Sequence, residues 1–205
     1  MTLTRKGAAT RARIVEGAAA EIRERGVLDL TLDDVLARTR TSKSQLFHYF
    51  PEGREELLLA VARLEADRVL ADQQPVLGEL TTWAAWERWR EVVVARYRAQ
   101  GERCPLTVIV SQLGRATPGA RAVVTELTRQ WQAELRAGIR HLQAEGAVDT
   151  ALDADRHAAA LVAGIQGGVV LLMSTGSTAH LEAALDTGIA ALRRPGTCGA
   201  GSAPR

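Results

Sequence analysis

The stretch from Thr31 to Phe50, TLDDVLARTRTSKSQLFHYF, constrains this chain more than any other. Two short apolar-periodic segments follow one another with only a tight turn between them. Thr31 precedes Val35 and Leu36 as a helix cap, with Asp34 three residues on in a capping-box-like position. Ser42 caps a second helix that starts at Lys43-Ser44-Gln45, ends in Phe47-His48-Tyr49-Phe50 and is stopped by Pro51. A helix whose first turn carries a cation, a hydroxyl and an amide can enter a DNA major groove and touch phosphates and base edges. Its aromatic end can pack back onto the supporting helices, so Phe47 and Phe50 are expected in the core.

The rest of the chain also reads as helix. Ile14, Val15, Ala18 and Ile22 give a first helix from about Ala8 to Arg25 one apolar face, and Gly26 ends it. After Pro51, a long helix opens at Glu52-Gly53-Arg54 and runs through Leu57, Leu58, Val61, Leu64 and Leu70 to about Gln74. Pro75 and Gly78 punctuate the chain before a helix through Trp83, Trp86, Trp89, Val93 and Tyr97. Pro105 to Leu113 reads as a short apolar helix, and Thr117-Pro118 opens a long one to about Glu145. Asp153 or Asp155 starts the next, to about Ser174, and a last helix spans Thr178 to Leu192. No strand or internal repeat is visible. The expectation is an all-α chain of about nine helices. A three-helix helix-turn-helix reader covers 1–51, and a larger helical sensor domain covers 52–193, for which the resemblance given below implies ligand binding and dimerisation. A Gly/Pro/Ser-rich tail, 194–205, is expected to be disordered.

The net charge of +2 does not argue nucleic-acid binding by itself. Its distribution agrees with it: residues 1–54 hold ten Lys/Arg against seven Asp/Glu, whereas the remainder holds sixteen against seventeen. The two cysteines, Cys104 and Cys198, lie far apart and form no disulfide framework or CxxC pair. The N-terminus lacks the apolar run of a signal peptide. The longest apolar run, Ala158 to Met173, is short for a membrane span and holds Gln166 and three glycines, so it reads as a helix at a packing interface. These features predict a cytoplasmic protein with no membrane partner. His141 and Glu145 lack a third ligand, His157 reads as part of a helix-start surface cluster, and Cys104 lacks a neighbouring base. No metal, cofactor or catalytic group is expected.

The run Ser42-Lys43-Ser44-Gln45-Leu46-Phe47-His48-Tyr49-Phe50-Pro51, set behind an amphipathic helix, a Gly stop and a Thr-started helix, resembles the TetR family of one-component transcriptional regulators. The resemblance covers about 50 residues. The extra residue in Pro51-Glu52-Gly53-Arg54-Glu55-Glu56-Leu57, and Cys104-Pro105-Leu106, resemble its LmrA/YxaF-type subgroup. The chain departs from the family pattern between the second and third helices. There the family has a small residue or glycine and then an apolar one, and this chain has Arg40 and Thr41. A non-glycine residue in a left-handed turn costs on the order of 1 kcal/mol. Either the turn is reshaped or Arg40 adds a phosphate contact.

Lys43 at a helix start is unfavourable for the helix dipole, which an opposing phosphate would relieve. Gln45 can pair with adenine and Ser44 with several bases. His48 follows on the same short helix. Tyr49 resembles the family tyrosine that bonds a phosphate. Thr31 and Arg54 can donate to phosphate at helix starts. The expected DNA-binding set is therefore Thr31, Arg40, Thr41, Ser42, Lys43, Ser44, Gln45, His48, Tyr49 and Arg54.

The resemblance implies a ligand cavity among the later helices. Trp83, Trp86 and Trp89 lie along one side of a helix and suit flat, apolar or cationic molecules, although plain core packing explains them equally well. Tyr97, Gln112, Trp131, Gln166 and Met173 are further pocket candidates. Gln166 either orients a ligand or bonds across a dimer. The family dimerises through its last two helices. Gly164, Gly168, Leu171 and Leu172 are accordingly expected at a homodimer interface, the alternative being an intrachain contact. The implied function is a homodimeric repressor released from a double-stranded, pseudo-palindromic operator by a small hydrophobic or aromatic inducer that tilts the fourth helix. The competing readings are a DNA-organising or partner-binding protein without inducer, and an all-helical enzyme.

Overall fold

The computed structural model describes residues 4–101, 104, 106 and 118–193. They form eight α-helices, one 3-10 turn and no strand. The helices are α1 (Arg5–Arg25), α2 (Leu32–Thr39), α3 (Lys43–Tyr49), α4 (Arg54–Ala71), α5 (Trp83–Gln100), α6 (Pro118–Ala144), α7 (Ala154–Thr175) and α8 (Ala179–Leu192), with the 3-10 turn at Val76–Glu79. The short helix expected over 105–113, Gln112, the Thr117 cap and the tail lie outside the described residues. The chain divides into two compact units, Met1–Asp72 with Glu102–Leu127, and Gln73–Gly101 with Thr128–Arg205.

In the first unit, α1 starts earlier than its apolar pattern implies because Thr4 caps it, its hydroxyl accepting from the Gly7 amide at 3.2 Å. Ile14, Val15, Ala18 and Ile22 are buried, and so are Val35, Leu46, Phe50, Leu57 and Val61 from α2, α3, the residue closing α3, and α4. Gly17 permits a close approach of α2: a Cβ there would lie 2.2 Å from Thr39 Cγ2. Two carboxylates are buried between helices. Arg38 Nε donates to Glu21 at 2.5 Å, while Arg23 and Arg68 donate to Glu65 at 2.6 and 2.8 Å. Arg68 also bonds Glu16. Each buried charge therefore has an arginine counter-ion, which burial demands.

In the second unit, Thr82 caps α5, accepting from the Ala85 amide at 3.2 Å. The closest packing is between α7 and α8. A Cβ on Gly168 would lie 2.5 Å from Leu181 Cα, and one on Gly188 would lie 2.4 Å from Leu161 Cδ2. Charged pairs join α5 to α8: Arg90 to Asp186 at 2.7 Å, Arg98 to Glu182 at 3.0 Å, and, just past the end of α8, Arg193 to Glu87 at 2.7 Å. By length and composition alone, α7 is apolar enough to cross a membrane. Its Leu161, Val162, Ile165, Val169 and Leu172 are buried within the protein.

Candidate nucleic-acid interface and sensor core

The turn between α2 and α3 is built on a left-handed residue. Arg40 has φ 50° and ψ 45°. This lets the Arg40 amide donate to the Ala37 carbonyl at 3.4 Å and the Thr41 amide to the Leu36 carbonyl at 3.2 Å, closing α2. Thr41 is only 7% exposed, at the position where an apolar residue is the family pattern. Its hydroxyl is satisfied internally. Thr39 donates to the Val35 carbonyl at 2.6 Å, so in the 2.7 Å contact between the two threonines Thr41 is the donor. Thr41 thus turns inward and does not join the exposed residues of α3.

Ser42 starts α3 with a reciprocal capping box. Its hydroxyl accepts from the Gln45 amide at 3.2 Å, and its own amide donates to Gln45 Oε1 at 3.0 Å. Leu46 and Phe50 are fully buried and anchor the helix. Arg11 stacks over the Phe50 ring, 5.0 Å from its centroid. Lys43, Ser44, Gln45 and His48 are all exposed. Among the described residues, Lys43 and Ser44 have no side-chain partner, and the Gln45 Nε2 donor is free. The structure therefore brings these four together on one solvent face. His48 meets Tyr49 edge-on at 4.8 Å. Tyr49 is half-buried, its hydroxyl against the first turn of α1, where a Cβ on Gly7 would lie 3.3 Å away.

Phe47 departs from the core expectation. It is 39% exposed, and its ring covers Gly53, where a Cβ would come within 3.3 Å of it. The signal was available: Phe47 follows Lys43 by four residues and so shares its face. Thr31 and Arg54 are exposed but engaged. Thr31 accepts from the Asp34 amide at 3.1 Å and donates to the Asp34 carboxylate at 2.5 Å. That bond, helped by Arg25, holds the Asp34 carboxyl below the usual range. Arg54 donates to the backbone carbonyls of Val27 at 2.6 Å and Leu30 at 3.3 Å, tying down the loop after α1. Arg38 bonds both Glu24 and Glu21, which lowers the Glu24 pKa and raises its own.

In the second unit, Trp86 and Trp89 are fully buried and meet edge-to-face at 5.7 Å. The Trp86 indole donates to the Leu80 carbonyl at 3.2 Å and that of Trp89 to Gln73 Oε1 at 2.7 Å. Trp83 is half-buried under Arg193, whose guanidinium lies 4.6 Å from the ring centroid. Tyr97 is buried, whereas Gln166 and Met173 are half-buried. Trp131 is fully buried on α6, and its indole N–H has no hydrogen-bond partner among the described residues.

The four residues expected between two copies of the chain separate. Gly168 and Leu172 are buried, with Gly168 packed on Leu181 of the same chain. Gly168 thus serves α7–α8 packing within the chain. Gly164 faces Ala184, with a Cβ 3.1 Å away. Leu171 is 41% exposed beside Val170 at 51%. Among the described residues, no three His, Cys, Asp or Glu side chains group into a metal site.

Comparisons with known proteins agree with this geometry. Residues 14–61 match the model for bacterial regulatory proteins of the tetR family, and residues 82–187 match that for the tetracyclin repressor-like C-terminal domain. An uncharacterized HTH-type transcriptional regulator of Mycobacterium tuberculosis is 30% identical over 105 residues, which cover 51% of this chain and 53% of that protein. The match thus spans about half the length of that relative. The fold is similar to that of a TetR transcriptional regulator from Chloroflexus aurantiacus, with TM-score 0.72 and 24% identity over 91% of this chain and 96% of that one. It is also similar to a TetR-family regulator from Cytophaga hutchinsonii, with TM-score 0.77 and 18% identity over 94% and 98%. SmeT, the repressor of the Stenotrophomonas maltophilia multidrug efflux pump SmeDEF, shares the fold at TM-score 0.65 and 21% identity over 95% and 96%. With a capped helix-turn-helix in the segment that matches the family's N-terminal model and a C-terminal match over more than half its length, the chain belongs to the TetR family of bacterial transcriptional regulators.

Proposed function

We propose that this protein is a homodimeric, cytoplasmic repressor that reads a pseudo-palindromic operator with α3 and is released by a small hydrophobic or aromatic molecule. The observation that carries the DNA half is the face of Lys43, Ser44, Gln45 and His48, solvent-exposed on a helix pinned by Leu46 and Phe50. Lys43 supplies a phosphate contact, Ser44 and Gln45 read base edges, and Tyr49 holds a phosphate at the rim. Exposed Val170 and Leu171 on α7 support a dimer through the last two helices. The insertion at Glu52-Gly53 and buried Cys104 and Leu106 fit the LmrA/YxaF-type subgroup.

The sensor half rests on Trp131. A buried N–H without an acceptor, as the Trp131 indole is among the described residues, costs about 1–3 kcal/mol, which a ligand carrying an acceptor atom would recover. Trp86 and Trp89 favour the second reading, a DNA-binding protein without inducer, since protein atoms already satisfy both indoles. A tryptophan-fluorescence screen of apolar aromatic compounds, followed by operator titration, decides between them. Under the repressor reading, a compound that quenches the core tryptophans weakens operator binding, and operator weakens the compound's binding by the same factor. A compound that binds in the core and leaves operator affinity unchanged contradicts induction.

A further inference from the structure

We propose that Arg40 is a second phosphate-contacting cation of the DNA interface, one that holds its place in the turn at the expense of backbone strain. The inference rests on the DNA-binding reading above. Arg40 is the sole non-glycine residue with positive φ among the described residues; the others, Gly26, Gly53, Gly101, Gly146 and Gly176, all lack a Cβ. The left-handed conformation crowds Cβ against the backbone, so glycine would sit at this position without strain. A side chain retained against that penalty calls for a compensating role.

The surroundings specify the role. Arg25, Arg38 and Arg54, which flank Arg40 in the sequence, are tied within the protein: Arg25 to Asp34, Arg38 to Glu21 and Glu24, and Arg54 to the Val27 and Leu30 carbonyls. Arg40 is exposed, and its guanidinium has no partner among the described residues. It stands three residues before Lys43, the other exposed cation of this connection without a partner. The turn it occupies leads directly into the capping box of α3. A free, always-charged guanidinium there presents several N–H donors to a phosphate flanking the groove that α3 enters. The competing role is a cation at the C-terminal end of α2, which would act on stability and not on DNA.

Phosphate contacts carry no base identity, so a fluorescein-labelled random-sequence duplex is a sufficient probe. The full-length protein and its Arg40→Gly, Arg40→Lys and Lys43→Ala variants are titrated by anisotropy at several salt concentrations, and each variant's Tm is recorded. Arg40→Gly is expected to bind several-fold more weakly, to lose about 1.8 from the log–log salt slope (about 0.9 for each protomer of the dimer), and to melt higher than wild type. Arg40→Lys is expected to keep the slope. Wild-type affinity and slope in Arg40→Gly, with Lys43→Ala weakened, overturns the contact. A lower Tm in Arg40→Gly overturns the strain and assigns the residue to the end of α2. Failure of wild type and every variant alike to bind duplex contradicts the DNA-binding reading itself, and this inference with it.

Discussion

Lys43 and Gln45 sit two residues apart on one short helix and are expected to fail differently. Lys43→Ala should weaken binding to every sequence and flatten the salt dependence by about one log–log unit per protomer, and so by about two for the dimer. Gln45→Ala should relax preference at one base pair per half-site, at a cost of roughly 1–3 kcal/mol on the best operator. Gln45 also completes the α3 capping box, so its loss should lower the melting temperature as well. Titrations on operator and scrambled duplex separate the two, because only Gln45 has base identity to lose. The caps at Thr31 and Ser42 were legible in the sequence because their partners lie three residues away. The inward turn of Thr41 and the tethering of Arg54 were not, since their geometry depends on Thr39 and on carbonyls more than twenty residues distant.

At the scale of elements, small residues set how closely helices approach. Gly168→Leu should destabilise the fold by about 1–3 kcal/mol, because its side chain would meet the Leu181 backbone. Leu171→Glu touches a position exposed in the protomer and should shift sedimentation toward monomer, lowering Tm only by the association lost. A monomeric wild-type protein contradicts the dimer. The sequence pattern showed that the α7 glycines mark close packing, but not which helix is packed. That follows from α8 folding back on its own chain, which no local periodicity encodes.

Acid should act on the same elements. Thr31 and Arg25 hold the Asp34 carboxyl low, Arg38 holds Glu24 low, and Thr178 with Arg98 holds Glu182 low. Each folded-state value lies below its unfolded counterpart. The stabilisation is therefore complete above the ordinary carboxylate range and is lost as pH falls through the lower folded values. Thr31→Ala should raise the Asp34 midpoint, observable in a carboxyl NMR titration. An unmoved midpoint contradicts the role given to that hydroxyl.

At the scale of the whole molecule, the proposed regulator joins a DNA reader, a dimer and a sensor. The helical architecture of the described residues was legible, because caps, Gly and Pro stops and apolar periodicity agree along them. Of the proposed sensor, only a cluster of tryptophans was legible. Whether an indole is satisfied depends on acceptors such as Leu80 and Gln73, whose positions are tertiary. The most direct test of the central claim is selection of bound sequences from a random duplex pool by the wild-type protein. The expected result is enrichment of a pseudo-palindrome whose half-site centres lie about one helical turn apart or a little more, lost when Lys43 and Gln45 are both replaced by Ala. Enrichment of an asymmetric site, or the same enrichment by the double variant, would contradict a twofold reader built on α3.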